Sequence, residues 1–287
     1  MPTPRVAAVH DLSGFGRCSL SIVMPTLSAM GVQCCPVPTA YLSTHTGGFT
    51  GNTFLDLTDQ MAPVTSHWKA ENVTFDAVYT GFMGSCEQMT LTADLIRTFK
   101  TENNVVVIDP VMGDHGKPYR TYTAEMCAAM GELAREADVL TPNRTEAAIL
   151  LDVPYEELRL DTEDDCRKWA KALSLDGKRS VVLTGVSLEK GSIGAVCYDR
   201  KGGEVSFVSA KQVDARFHGT GDLFASVLTG ALVRGKNLHD AARLASEFVS
   251  LTAAHTAAQD IPLREGVDFE PLLWRLGRSF SEGGTLA

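Results

Sequence analysis

The chain has 287 residues, of which 44% are hydrophobic and 21% charged, as in an ordinary globular protein with a substantial core. Its formal net charge is −9 and it has no concentrated run of Lys or Arg, so nucleic acid is not expected as a partner. The apolar run at residues 6–9 is too short for a signal-peptide core or a membrane span, which predicts a cytoplasmic protein. The seven cysteines show no zinc-site spacing, which favours reduced thiols.

Short apolar runs alternate with helical patterns along the chain. The runs predict strands at residues 6–9, 32–37, 77–79, 105–108, 139–140, 181–183, 193–199 and 205–210, and the patterns predict helices at 20–30, 89–99, 124–135, 166–173, 221–234 and 238–257. Strand followed by helix is typical of a mostly parallel sheet with helices on both faces, here with an antiparallel C-terminal edge. No linker or repeat divides residues 1–287, so one α/β domain is expected.

Residues 40–53 follow neither pattern. They place hydroxyl groups, the imidazole of His45 and several glycines directly after an apolar stretch. A loop that lines a pocket would need such groups, but a plain polar turn has the same composition. Without other observations, the plain turn is favoured.

Residues 11–19 follow a predicted strand and precede a predicted helix, as a dinucleotide-binding loop would. Ser19 stands where the third glycine of that fingerprint belongs, and the strand at 32–37 ends without the acidic residue that would hold a ribose. The sequence also contains no Gly-x-x-x-x-Gly-Lys-Ser/Thr motif. These observations disfavour a Rossmann dehydrogenase and exclude a P-loop nucleotide site.

The strongest chemical feature is the segment 218–222, His-Gly-Thr-Gly-Asp, at the head of a predicted helix. Its glycines let backbone N–H groups turn toward one point, and the helix start adds the positive end of a dipole, so the segment can cradle an anion. Asp222 would repel that anion unless it faces a hydroxyl group whose proton it accepts. The combination indicates phosphoryl transfer to an alcohol, although an ordinary helix cap would show similar residues.

Two acidic segments follow neighbouring predicted strands. One contains Asp109 and Asp114, and the other contains Asn143 and Glu146. Ligands of open α/β sheets bind at the carboxyl ends of strands, and Mg²⁺ prefers carboxylate and phosphate oxygens, so a site for Mg·ATP is predicted there. Glu146 follows Asn143 by three residues, as in a capping box, and could instead only cap the next helix.

In this order, the segments resemble the ribokinase-like superfamily and most closely its vitamin B6 (pyridoxal, pyridoxine and pyridoxamine) kinases. The resemblance extends over about residues 6–258 and rests on the motifs at 42–47, 80–84, 109–114, 140–143 and 212–224. It implies a ribokinase-like three-layer αβα sandwich and phosphorylation of a 5′-hydroxymethyl group. It also implies ATP with Mg²⁺, a monovalent cation such as K⁺, and a homodimer.

The resemblance also implies roles for individual residues. Asp222 would be the base, and the amides of Gly219, Thr220 and Gly221 would stabilise the transferred phosphoryl group. The other implied residues are Asp11, Ser13, His45, Thr46 and Phe82 for the substrate; Asp114, Asn143, Thr184, Val213, Phe217, Gly219 and Thr220 for ATP; and Asp109, Asp114, Thr141 and Glu146 for the metal.

The first loop departs from the B6 kinase pattern. Asp11 stands where many B6 kinases carry a serine that faces the ring nitrogen, and a carboxylate there would suit a protonated pyridine or an aminopyrimidine. Residues 11–16 look more like the hydroxymethylpyrimidine kinases of thiamine synthesis, but those enzymes commonly carry Cys in place of Asp222. Asp222 and the segment 42–47 favour vitamin B6. A hydroxymethylpyrimidine (phosphate) kinase and a catalytically silent vitamer-binding protein are the alternatives.

Overall fold

The strands form one large sheet and one small hairpin in the computed structural model, which describes residues 2–280. The strands are β1 Arg5–Phe15, β2 Gln33–Thr44, β3 Phe54–Asp56, β4 Ala77–Thr80, β5 Val105–Ile108, β6 Gly113–Asp114, β7 Lys117–Pro118, β8 Val139–Leu140, β9 Ser180–Val186, β10 Ser192–Asp199 and β11 Glu204–Lys211. The large sheet has the order β11-β10-β9-β8-β5-β4-β1-β2-β3, and β6 pairs with β7.

Helices cover both faces of the large sheet. They are α1 Leu20–Ala29, α2 Thr58–Ala70, α3 Cys86–Phe99, α4 Ala124–Ala134, α5 Arg144–Leu150, α6 Glu163–Leu173, α7 Thr220–Val233, α8 Leu238–Ala257 and α9 Leu273–Arg278, with 3₁₀ turns at Leu263–Glu265 and Glu270–Leu272. Buried residues of α2 to α6 pack in one hydrophobic cluster and those of α1, α7, α8 and α9 in a second. The predicted three-layer sandwich is therefore confirmed.

Strand β1 shows why the sequences of the central strands are continuous apolar runs. Ala7 and Val9 belong to the cluster on one face, and Val6 and Ala8 belong to the cluster on the other. Successive side chains of a strand point to opposite faces, so a strand buried on both sides needs apolar residues at every position.

The pairing confirms the predicted mixture of strand directions. The six adjacent strands β2, β1, β4, β5, β8 and β9 are parallel to one another, and β10 and β11 continue the sheet beyond β9 as an antiparallel hairpin. A second antiparallel edge, formed by β3 against β2, was missed by the sequence patterns. Helix α2 was also missed, because Met61 is its only fully buried residue and it carries an internal proline.

The prediction of loops at residues 11–15 and 40–44 was wrong. Strand β1 continues past a register shift between His10 and Leu12, and Leu12 then pairs with Tyr41 and Phe15 with Thr44. Ser13, Gly14 and Ser43 give these stretches weak strand propensity, but the pairing between β1 and β2 overrides it. The loop suggested for residues 40–53 therefore begins only at His45.

The carboxyl ends of the parallel strands meet along one edge of the sheet. Asp109 follows β5 directly and Thr141 follows β8, while the extension of β1 carries Asp11 toward the same side. The start of α7 lies nearby, since the Asp222 carboxylate accepts a hydrogen bond from Ser19. Across residues 2–280, no helix combines the length and the apolar character that a membrane crossing requires.

Candidate active site

The segment 218–222 forms the predicted helix start. Gly219 has φ 80° in the left-handed region and precedes α7, and a Cβ at this position would collide with the carbonyl oxygen of Arg17. Glycine is therefore required both by the backbone conformation and by space. The first N–H groups of a helix have no acceptor within the helix, so the start of α7 can receive an anion.

Asp222 lies in the first turn of α7 and is held by a neighbouring helix start. Its Oδ2 accepts a hydrogen bond from the backbone N–H of Ser19, the residue before α1, at 3.0 Å. The side chain keeps some exposure by surface area but is surrounded by protein atoms, and this burial raises its pKa to about 6. A carboxylate with such a pKa is a competent base near neutral pH.

Asp11 is a second carboxylate close to Asp222. It is buried, and its Oδ1 accepts a hydrogen bond from the Ser19 hydroxyl at 2.5 Å, while the Ser13 hydroxyl lies 3.4 Å from Oδ2. Burial raises the pKa of Asp11, and the negative charge of Asp11 in turn helps to raise the pKa of Asp222. The structure thus brings together three residues that the resemblance placed in the substrate pocket.

The acidic segments also converge. Asp109 and Glu146 are buried, and Thr141 donates its hydroxyl proton to Asp109 at 3.1 Å. Burial raises the pKa of both carboxyls, and the Asp222 charge raises that of Asp109 further. Asp114, on β6, is exposed. Within residues 2–280, no three His, Cys, Asp or Glu side chains stand close enough to hold a metal ion alone.

Glu146 does cap α5. The Asn143 side chain accepts hydrogen bonds from the N–H groups of Thr145 and Glu146, and Glu146 Oε2 accepts from the Asn143 N–H at 2.8 Å. The other oxygen, Oε1, accepts from Met112 N–H at 3.2 Å. Glu146 therefore ties the loop after β5 to α5, and it remains close enough to Asp109 for their charges to interact.

The other residues expected to contact ATP come from β9 and from the segment between β11 and α7. Thr184, on β9, is half-buried and donates to the carbonyl of Pro142 at 3.3 Å. Val213 and Phe217 lie between β11 and α7, where Phe217 is buried in the core and Val213 packs against it. Thr220 donates its hydroxyl proton to the Phe217 carbonyl at 3.3 Å. Contact with an adenine in this segment stays a prediction.

His45 holds the loop that follows β2. Its Nδ1 accepts from the Gly47 N–H at 3.1 Å, and its Nε2 lies 2.7 Å from the Arg264 carbonyl oxygen, which can only accept. This pattern requires a neutral ring with the proton on Nε2. The His218 ring lies 5.0 Å from the His45 ring and leaves no room for a Cβ on Gly47. The loop is therefore held against the start of α7.

Two other expected substrate residues are less tightly held. Thr46 is exposed, and Phe82 is half-buried with its ring edge against Tyr122 at 5.8 Å between centroids. Tyr119, which the sequence patterns missed, lies near the acidic segments. Burial raises the pKa of Tyr119, and the charges of four carboxylates, those of Glu146, Asp114, Asp222 and Asp109, raise it further.

Sequence reasoning also missed Ser19, His218 and Arg264 as members of the site. A signal existed for Ser19, which stands at a position where glycine was expected, and for His218, which precedes the glycines of the helix start. Arg264 offered none, because its contact with His45 is made by a backbone carbonyl across 219 residues of sequence.

Comparison with known proteins supports a kinase. A family model described as phosphomethylpyrimidine kinase matches residues 24–264. A Bacteroides thetaiotaomicron protein, described as a candidate phosphomethylpyrimidine kinase and solved with pyridoxal, is 40% identical with a TM-score of 0.89, and the match covers 96% of each chain. Pyridoxal kinase from Lactobacillus plantarum is 30% identical, with a TM-score of 0.88 over 98% of this chain and 99% of that one.

Curated relatives include both pyridoxine or pyridoxal kinases and hydroxymethylpyrimidine kinases. The hydroxymethylpyrimidine/phosphomethylpyrimidine kinase of Streptomyces coelicolor is 29% identical over 96% of each chain. The chain spans about half the length of several other curated relatives that it matches. Since the family model covers most of the chain, and the chain resembles pyridoxal kinases in sequence and fold, the protein belongs to the phosphomethylpyrimidine kinase family of ribokinase-like kinases, which includes the vitamin B6 kinases.

Proposed function

We propose that the protein is an ATP-dependent kinase that phosphorylates the 5′-hydroxymethyl group of pyridoxal, pyridoxine or pyridoxamine. The observation that carries the proposal is Asp222, a carboxylate with a pKa of about 6 in the first turn of a helix that begins with a left-handed glycine. The pyridoxal in the structure of the 40% identical Bacteroides protein supports a B6 vitamer as the alcohol.

The arrangement suits phosphoryl transfer to an alcohol. Asp222 accepts the hydroxyl proton while the alcohol oxygen attacks the γ-phosphorus, and the bond from that phosphorus to the bridging oxygen breaks to release ADP. The amides of Gly219, Thr220 and Gly221 stabilise the negative charge on the transferred group. A chain of net charge −9 binds a polyanion in this way through local amides rather than a basic surface.

The acidic segments fit a divalent cation. Burial raises the pKa of Asp109 and of Glu146, and the charge of Asp109 raises that of Glu146 further, so a cation beside them would stabilise their ionised forms. Asp109, Asp114, Thr141 and Glu146 would hold Mg²⁺ together with phosphate oxygens and water, and Mg²⁺ would neutralise phosphate charge. Asn143 and Thr184 lie beside this site and would contact the nucleotide or a monovalent cation such as K⁺.

The second candidate is a hydroxymethylpyrimidine (phosphate) kinase. It is favoured by Asp11, whose buried carboxylate could accept hydrogen bonds from an aminopyrimidine, and by the Streptomyces relative. A catalytically silent vitamer-binding protein is disfavoured, because it would not need Asp222 to keep a base-like pKa beside the acidic segments.

An assay of ADP release decides between these functions. The purified protein is given Mg·ATP with pyridoxal, pyridoxine, pyridoxamine, hydroxymethylpyrimidine or ribose. We expect kcat/KM for at least one B6 vitamer to exceed that for hydroxymethylpyrimidine by about tenfold or more, a difference of roughly 1.4 kcal/mol in transition-state binding. The reverse order would identify a hydroxymethylpyrimidine kinase, and no ADP release with any alcohol would indicate a silent binder.

The matched variant is Asp222→Asn, which keeps the shape of the side chain and removes the base. Its kcat is expected to fall by ~10²–10⁴-fold, the usual contribution of a general base. At pH 8 the variant should unfold at no lower temperature than the wild type, because a neutral amide avoids burying a charge. Full turnover in this variant would contradict the role of Asp222.

The proposed function carries expectations about domain number, cellular compartment and oligomeric state. We expect residues 1–287 to act as one domain, in the cytoplasm, and as a homodimer. Size-exclusion chromatography with light scattering measures the last of these directly.

A further inference from the structure

Ser19 lies between the two carboxylates that flank the substrate side of the site. Its backbone N–H donates to Asp222 Oδ2 at 3.0 Å, and its hydroxyl donates to Asp11 Oδ1 at 2.5 Å. The residue is only 5% exposed, so water does not compete freely for these bonds. One buried residue thus contacts a carboxylate of β1 and a carboxylate of α7, whose positions in the sequence are 211 residues apart.

The backbone of Ser19 has a conformation that serine normally avoids. Its φ of 51° and ψ of −132° lie in a region that glycine occupies readily and that strains residues with a Cβ. Strain of this kind persists only where surrounding contacts require it. At this position, the N–H points to Asp222 and the side chain points to Asp11.

Helix capping does not explain the serine. Ser19 immediately precedes α1, where a serine usually accepts a hydrogen bond from an N–H of the first helical turn. Here its side chain makes no such bond, because the hydroxyl donates to Asp11 instead. Ser19 also forms an isolated bridge with Leu12, next to Asp11 on β1. The hydroxyl is therefore used for the site and not for the helix.

We propose that Ser19 is a positioning residue that fixes Asp11 and Asp222 relative to each other. Its hydroxyl orients Asp11, which faces the ring of the substrate, and its N–H orients Asp222, which faces the hydroxyl group of the same substrate. Ser19 thereby fixes the spacing between the carboxylate that faces the ring and the proposed base. This inference rests on the proposed function.

The first test is Ser19→Ala, which removes the hydroxyl and keeps the N–H. We expect the KM of the alcohol to rise by about tenfold, as for loss of a hydrogen bond to a charged group, while the KM of ATP changes by less than about twofold. The control is Ser28→Ala, which removes an exposed hydroxyl from α1, the helix that Ser19 precedes, and should change neither KM. An unchanged alcohol KM in Ser19→Ala would overturn the positioning role.

A double variant separates positioning from a general structural effect. If Ser19 acts through Asp11, the alcohol KM of Ser19→Ala combined with Asp11→Ala equals that of Asp11→Ala alone, because alanine leaves the hydroxyl no side-chain oxygen to orient. Effects that multiply in the double variant would overturn the inference. All values are ratios to the wild type for the alcohol it phosphorylates, so a wild type without turnover contradicts the proposed function instead.

Ser19→Gly tests the strain independently of turnover. Glycine and alanine both remove the hydroxyl, but glycine relieves the backbone, so Ser19→Gly should melt at a higher temperature than Ser19→Ala, by about 2–4 °C. Their alcohol KM values should agree with each other. Equal melting temperatures, or a lower one for the glycine variant, would overturn the strained placement of Ser19.

Discussion

At the scale of single residues, the candidate site is a set of carboxylates that the protein buries rather than solvates. Asp11, Asp109, Glu146 and Asp222 all have pKa values raised mainly by burial. Each such group costs stability at neutral pH, because the folded state holds its proton more tightly than the unfolded state does. Perturbed carboxyls that lie together are typical of functional sites, and here they lie at one edge of the sheet.

The pKa of Asp222 predicts the acid limb of the pH profile. The proposed base must be ionised to accept a proton, and burial moves the pKa of Asp222 from 3.8 to about 6, so kcat/KM should fall as the pH drops through about 6. The measurement is kcat/KM for the alcohol between pH 4.5 and 8.5 at saturating Mg·ATP. A kcat/KM that stays constant down to pH 4.5 would mean that the pKa of Asp222 is not raised in the enzyme that holds Mg·ATP.

Two glycines of the helix start predict opposite effects on stability. Gly219→Ala places a methyl group against the Arg17 carbonyl at φ 80° and should lower the free energy of unfolding by about 1–3 kcal/mol. Gly221→Ala meets no atom within 4 Å in a helical conformation, and should be neutral or stabilising by up to about 1 kcal/mol. Urea denaturation of the two variants measures both changes. A tolerated Gly219→Ala would contradict the left-handed start of α7.

At the scale of elements, the segment 263–270 joins the parts of the substrate side that come from distant regions of the chain. The Arg264 carbonyl accepts a hydrogen bond from the His45 ring, and the N–H of Val267 donates to the His218 carbonyl at 3.2 Å. Arg17, in the first loop, forms ion pairs with Asp268 at 2.7 Å and Glu270 at 2.8 Å. The segment therefore connects the turn after β1, the loop that follows β2 and the start of α7.

Arg17→Met tests this connection, since it keeps an apolar stem and removes both ion pairs. We expect the free energy of unfolding to fall by about 1–3 kcal/mol, because Asp268 is largely buried. We also expect the KM of the alcohol to increase by a larger factor than the KM of ATP. The control is Arg243→Met. Arg243 pairs with Asp240 and Glu247 on the exposed face of α8, where such pairs contribute under about 0.5 kcal/mol. Equal effects of the two variants would show that the segment contributes nothing specific.

At the scale of the whole molecule, the carboxyl ends and the amino ends of the parallel strands have different roles. The carboxyl ends of the parallel strands carry the site, and the amino ends carry a buried carboxylate that braces the strands. Asp138 accepts hydrogen bonds from the Val106 N–H at 2.9 Å and from Arg200 at 2.8 Å, with Lys100 at 3.4 Å. These contacts join the start of β5 to the turn between β10 and β11.

Asp138→Asn is therefore expected to affect stability without affecting catalysis. Loss of the charge weakens the contacts with Arg200 and Lys100 and should lower the free energy of unfolding by about 1–3 kcal/mol. The values of kcat and both KM constants should stay within about twofold of the wild type, measured well below the melting temperature. A selective loss of kcat would mean that the two ends of the sheet are coupled.

The sequence by itself determined the layers and the helix start. Apolar runs show which strands are buried on both faces, and the glycines before Asp222 mark an anion-binding turn, because both features depend on residues adjacent in the chain. The capping of α5 by Asn143 and Glu146 was foreseen for the same reason. Local patterns alone therefore indicate a kinase-like site.

Only the tertiary structure decided how far β1 and β2 extend and which residues hold the carboxylates in place. Ser19 meets Asp222 across 203 residues of sequence, and Arg17 meets Asp268 across 251. Such contacts depend on where the chain returns to the sheet edge, and no short pattern records that. The sequence thus pointed to Asp222 as the proposed base and to an anion-binding turn, and the fold decided which groups orient them, because orientation comes from atoms that only folding brings together.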